Sequence, residues 1–346
     1  MKKIPLFYLV VIALIVLFAT SIFSIGMGVY QFESGNAYQV LWKFLMQDPE
    51  ILPSEKYIIW EVRTARVIMG ILIGSMLAFS GTLLQGMFKN PLATGDLIGL
   101  NSGATLMASV AIVLGSYFRN YLPDFVNYSL VSFSAFAGAL IAMLLVYRIS
   151  TSGGKTNVVV MLLSGVALTA IGFAVTGFLI YLSKDEQLRD LTFWNLGSLA
   201  NATWTKNLIL ALVMLVSYSL LIDKGKVLNA MMLGEKDAQH LGINVESIKK
   251  RIILFTALMV GTCVAFSGTI GFIGLVVPYI LRLLFRSNYQ YILPLSAILG
   301  SIILILGDSL SRTLLPPTEI PIGILTALMG GPVFIAILMK FKKSMR

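Results

Sequence analysis

Ten stretches of this chain, near residues 5–29, 63–86, 97–115, 126–148, 157–182, 205–222, 251–270, 272–286, 291–311 and 321–340, are apolar runs of the kind a lipid bilayer selects. A hydrocarbon core about 30 Å thick takes roughly 20 apolar residues as a helix. Charged residues make up 12% of the chain, about half the share usual in soluble domains. No soluble fold buries so much apolar sequence. The expected fold is therefore an all-α polytopic membrane protein, with residues 1–346 forming a single transmembrane domain. The eighth run is short and contains Pro278, which blurs its ends. Met1-Lys2-Lys3 before an apolar run resembles the start of a signal peptide, but the run from Ile4 to Phe23 is longer than a typical signal core, so it is expected to stay as the first span.

Two of the runs are related. Ala78-Phe79-Ser80-Gly81-Thr82 returns unchanged at Ala265-Phe266-Ser267-Gly268-Thr269, an offset of 187 residues. On that alignment Gly74 falls on Gly261 and Ser75 on Thr262, so small residues recur on one face of two apolar segments. Small residues let membrane helices approach closely. Repeat-related halves, about 63–182 and 251–340, are the simplest explanation, and two packed halves that rock against each other are the build of many transporters.

Orientation follows from the basic residues. With ten spans and both termini on one side, the loops of that side hold 17 of the 26 Lys and Arg. Cytoplasmic loops retain such an excess, so both ends are expected in the cytoplasm. The +10 net charge is then a topology signal and calls for no nucleic-acid partner. In this arrangement the second span runs inward and the seventh outward, which makes the repeat an inverted one.

Little in the chain suggests chemistry. Cys263 and His240 are single copies, so neither a disulfide framework nor a Cys/His metal site can be assembled. The serines have no membrane-embedded His or Lys to activate them. Gly153-Gly154-Lys155-Thr156 looks like the end of a phosphate-binding loop, but Ile149 stands where that motif needs a glycine, and no strand precedes it. No enzyme activity and no cofactor are expected, and any ATP hydrolysis must lie in another subunit.

Three connecting segments carry more information. Lys89 to Asp96 is too polar for lipid and sets Asn90 and Pro91 at the cytoplasmic mouth, with Gly95, Gly99 and Gly103 expected as two GxxxG steps in the third span. The cytoplasmic loop of about 223–250 contains Met231 to Gly242, whose apolar spacing predicts a short amphipathic helix ended by Gly242. Such a helix can dock in a partner's groove. Leu188 to Trp204 mixes Trp and Phe with polar residues, which suits an interfacial helix at the outer mouth.

The strings RTAR before the second span, SGTLLQGMFKNPLATGDLIGLNSGA, FWNLGSL, LGEKDAQHLGI, SGTIGFIGLVVPYILR and EIPIGILTALMGGPVF run in order from about residue 60 to 335. Together they closely resemble the permeases of ATP-driven importers for ferric siderophores, haem and cobalamin. The resemblance implies two permease subunits, identical or paralogous, around a central pathway, two ATPase subunits below and an extracytoplasmic substrate-binding protein above. It implies that Glu235, Lys236, Asp237, Ala238, His240, Leu241 and Gly242 couple to the ATPase. It assigns Asn90, Pro91 and Leu92, with Thr156 and Asn157, to a cytoplasmic gate. It also implies that Arg63, Arg66 and Arg312 meet acidic residues of the binding protein. Where the family often has His this chain has Tyr279, which puts in doubt any role resting on an imidazole there.

The function expected on these grounds is an importer permease in the bacterial plasma membrane that moves an iron chelate, a ferric siderophore first, with haem or cobalamin as alternatives. The rival from another class is an ion-coupled secondary transporter. Such proteins place ionisable residues within the membrane, and Asp308 is the main candidate.

Overall fold

The computed structural model describes residues 5–118 and 123–344. Its helices are α1 (Leu6–Gly26), α2 (Ala37–Leu45), α3 (Pro53–Tyr57), α4 (Ala65–Phe88), α5 (Leu100–Phe118), α6 (Asp124–Ser150), α7 (Val158–Leu182), α8 (Asp185–Leu196), α9 (Trp204–Leu221), α10 (Gly225–Leu233), α11 (Glu235–His240), α12 (Val245–Ser267), α13 (Ile273–Phe285), α14 (Tyr289–Ser311) and α15 (Ile322–Ser344). A π-helical stretch, Ile58–Thr64, joins α3 to α4 without a break. Among the described residues, seven helical segments are long and apolar enough to cross a membrane, and shorter apolar stretches at 100–115, 273–285 and 322–336 fall on the other three expected runs. The 13 residues of α13 reach only about 20 Å at 1.5 Å each, short of a full crossing, and Pro278 lies inside it.

Asparagine starts several of these helices. Asn157, Asn244 and Asn288 each accept a hydrogen bond from a backbone N–H of the first turn, opening α7, α12 and α14. These are donors that the helix itself cannot satisfy. Polar residues between apolar runs thus mark where these three helices begin.

The centre of the bundle is α4, almost wholly buried, whereas α1 and α7 leave most of their apolar surface exposed. Its glycines explain the position. A Cβ on Gly74 would lie 2.5 Å from the carbonyl oxygen of Gly300 on α14, and one on Gly81 would collide with the backbone of Gly274 on α13. The three helices therefore touch backbone to backbone, as small residues permit in membranes. Within the bundle, α4 lies against α13 and α14, and α12 lies against α5 and α6.

Two details of the repeat differ from expectation. The first AFSGT copy sits inside α4, but in the second the helix ends at Ser267, with Gly268 at φ +68°. That φ is open to glycine and strained for other residues. A backbone approach explains the break: a Cβ at Gly268 would strike the Trp194 carbonyl. Cys263, buried at 1% exposure, is consequently one turn from its helix end. The glycines before α5 also differ. Gly95 and Gly99 precede the helix in a 3-10 turn, Gly99 at φ +80°, and only Gly103 packs within a helix, on Gly138 of α6.

Candidate functional site

The bundle has two ends. One carries α8 and the C-terminus of α12; the other carries α10, α11 and the short hairpin between α6 and α7.

At the α11 end, the segment expected as a loop is largely helical, α10 and α11 meeting at Gly234. The apolar residues divide between two directions. Met231 and Ala238 are buried in the core, while Leu233 and Leu241 stand 74% and 66% exposed. Lys236, Asp237, Gln239 and His240 are exposed beside them. Ala238 was expected to meet a partner's groove; at 0% exposure it instead anchors α11 to its own chain. Gly242, at φ +79° with open space around it, ends the helix as expected. Leu233, at the end of an apolar segment, and Leu241 thus stand exposed among charged residues at this end of the bundle.

The hairpin Thr151–Thr156 settles the nature of the GGKT string. Thr151 pairs with Thr156, and Gly153 and Gly154 have φ +57° and +75°. Two successive positive φ values make the tight two-residue turn that twisted strands favour. It is a β-turn, and its glycines serve backbone geometry.

A polar cluster centred on a buried lysine lies between the hairpin and α11. The Lys249 side chain, 1% exposed, donates to Glu235 at 2.8 Å, to Glu246 at 3.1 Å and to the Thr156 carbonyl at 3.1 Å. An ammonium has three donors, and all three are used. Glu246 also accepts from the Thr156 N–H at 3.0 Å, and Asn157 caps α7. Sequence reading missed Lys249 and Glu246. Their i, i+3 spacing at the start of a helix was the available signal.

The Asn90–Leu92 loop lies at the same end. Lys89 takes a left-handed conformation, φ +51°, and Asn90 accepts from the Leu92 N–H at 3.0 Å, which folds the turn. Leu92 packs against the buried pair Leu275 and Val276 of α13, which Phe272, Tyr279, Val333 and Phe334 also cover. Two of the expected gate segments are thus at one end of the bundle, each held to different helices. Tyr279 fills an apolar cluster here.

The α8 end holds a second cluster. Arg66 donates to Asp308 at 2.8 and 3.0 Å and to Glu319 at 2.9 Å, and Arg312 lies 3.5 Å from Asp308. Arg312 further donates to the Met27 carbonyl and to Ser24. Arg63 donates to the carbonyls of Ile25, Gly26 and Tyr30. All three arginines are buried, at 5% to 6% exposure. The expectation of free outer charges is corrected: these cations join the end of α1 to α4 and α14. Glu319, its side chain 42% exposed, is the open edge of the cluster. Asp308, fully engaged by two arginines, is neutralised in place and offers no free carboxylate for ion coupling.

Beside that edge opens a cleft of about 900 Å³, lined in part by Phe193, Trp194, Asn201, Lys206, Gly268 and Glu319. Its size is at the upper end of small-ligand sites. The interfacial helix expected from Leu188 is α8, and it supplies the aromatic wall.

The described residues thus form a multi-pass helical bundle with exposed leucines at one end and an aromatic cleft at the other. Residues 12–340 match the FecCD transport family, and the chain belongs to that family, as an ABC importer permease. It is 38% identical over 283 residues to the hemin transport system permease protein HmuU of Yersinia pestis, covering 82% of this chain and 83% of that one. It is 37% identical over 286 residues to a vitamin B12 import system permease protein, BtuC, of Citrobacter koseri, with 82% and 84% covered. To the molybdate import system permease protein MolB of Haemophilus influenzae it is 32% identical over 330 residues, with 95% and 94% covered. Among solved structures, an inward-facing metal-chelate type ABC transporter superposes with a TM-score of 0.81 at 30% identity, over 96% of this chain and 99% of that one.

Proposed function

We propose that this permease imports an iron chelate, a ferric siderophore or haem, with both termini in the cytoplasm and the α8 end outside. The observation that carries the reading is the cleft: an aromatic wall from Phe193 and Trp194, one cation at Lys206, two carboxylates at Asp190 and Glu319 and several hydroxyl groups suit a large, partly apolar chelate better than a small hydrated oxyanion. The names of its relatives span haem, vitamin B12 and molybdate, so the family alone leaves the cargo open.

In this reading a binding protein delivers the chelate at the α8 end, and its carboxylates exchange with Glu319 opposite Arg66. Two permease subunits enclose the pathway. ATPase subunits dock around α11 through Leu233, at the end of α10, and Leu241, just after α11, and Asn90 to Leu92 with Thr156 and Asn157 close the cytoplasmic side. Hydrolysis belongs to the ATPases, and the permease makes and breaks no covalent bond. The test is ATP hydrolysis by the purified complex with its binding protein, titrated with ferric siderophores, haem, cobalamin and molybdate. Stimulation by an iron chelate alone is the expected result. Stimulation by molybdate or cobalamin alone would contradict the proposal.

A further inference from the structure

We infer that Lys249 is the positioning residue that carries displacement of α11 into the hairpin at the head of α7; this rests on the reading of α11 as the ATPase-docking helix. Three elements meet on one ammonium. Glu235 belongs to α11, Glu246 to the first turn of α12, and the Thr156 carbonyl to the hairpin. No other side chain among the described residues joins α11 to the hairpin by hydrogen bonds. The geometry makes the link stiff. Lys249 is buried and spends each of its three donors on a different group.

The cluster also separates two functions. Glu246 holds the hairpin to α12 independently, through the Thr156 N–H, so loss of the ammonium leaves the hairpin tethered. What is lost is its tie to Glu235. When a docked partner shifts α11, Glu235 moves with it, the ammonium follows the carboxylate, and the Thr156 carbonyl follows the ammonium. Asn157, the next residue, caps α7, so the movement reaches the end of a membrane-crossing helix within one residue.

The test uses the full permease with its ATPase and binding protein in proteoliposomes. Cys263 is buried, so thiol reagents report on introduced cysteines. Gln239→Cys on α11 reads docking, and Ser152→Cys in the exposed part of the hairpin reads its movement. In the parent, the ATPase is expected to protect Gln239→Cys, and nucleotide to change the labelling of Ser152→Cys. In Lys249→Met the protection should remain and the nucleotide response of Ser152→Cys should vanish. Transport per ATP hydrolysed should fall by roughly tenfold or more, the scale of ordinary site-to-site coupling. Lys249→Arg, which keeps the charge and the donors, should restore part of it. Should Lys249→Met not assemble, Glu235→Gln supplies the same comparison, because it weakens only the α11 side of the link. An unprotected Gln239→Cys in the parent would overturn the docking reading and the inference with it. Protection together with a nucleotide response that survives in the Lys249 or Glu235 variant would overturn the inference alone.

Discussion

Replacing Asp308 by Asn tests whether the arginine cluster is a structural staple. The carboxylate is 2% exposed and receives Arg66 at 2.8 Å and Arg312 at 3.5 Å. Without its charge, two buried guanidinium groups face each other with only Glu319 left to compensate, and that residue is partly in solvent. Breaking a buried pair from one side costs about 3–5 kcal/mol, and the remaining Glu319 and the amide oxygen of Asn place this case near 3 kcal/mol. The chain supplies its own probe, because Cys263 is its single cysteine and is 1% exposed. In detergent, thiol labelling proceeds through opened molecules, so its rate follows the population of the open state. A loss of about 3 kcal/mol corresponds to labelling roughly 150-fold faster. Arg66→Met combined with Asp308→Asn removes both charges of the pair and should recover much of the protection. Labelling of Asp308→Asn at the parent rate would refute the staple.

Gly81→Ala should speed Cys263 labelling by about tenfold or more, since its Cβ meets the Gly274 backbone and overpacking costs about 1–3 kcal/mol; Gly177→Ala, with open space around it, should leave labelling unchanged. Leu241→Asp should weaken capture of the ATPase by roughly tenfold, as loss of an apolar anchor does, with Cys263 protection intact; equal capture in a pull-down titration would remove Leu241 from the interface. Glu319→Ala should tighten binding-protein association, by up to about 1 kcal/mol as exposed pairs allow, if a partner carboxylate competes for Arg66. Weaker association would instead make Glu319 part of the contact.

The number and placement of the apolar helices were legible because membrane thickness imposes a length that composition alone reveals. The central position of α4 was foreshadowed by its glycines, whose absent side chains can be read as contact. Burial of charge was not legible. Arg63, Arg66 and Arg312 looked like outer-rim cations because their partners, Ser24 to Tyr30 on one side and Asp308 and Glu319 on the other, lie far away in sequence. Ala238 was assigned to the wrong face for a related reason: a six-residue helix is too short for periodicity to choose between core and partner. At the end of α12, Gly268 lies against the Trp194 carbonyl, a contact between distant segments that no local pattern encodes. Lys249 was hidden among the basic residues that set topology.

Uptake into proteoliposomes holding the permease, its ATPase and its binding protein decides the central claim. Radiolabelled ferric chelate is presented from the α8 side, with ATP sealed on the α11 side. Accumulation that requires ATP in that compartment, and persists when ion gradients are collapsed, is the predicted result. Accumulation driven by a proton or sodium gradient without ATP would contradict it.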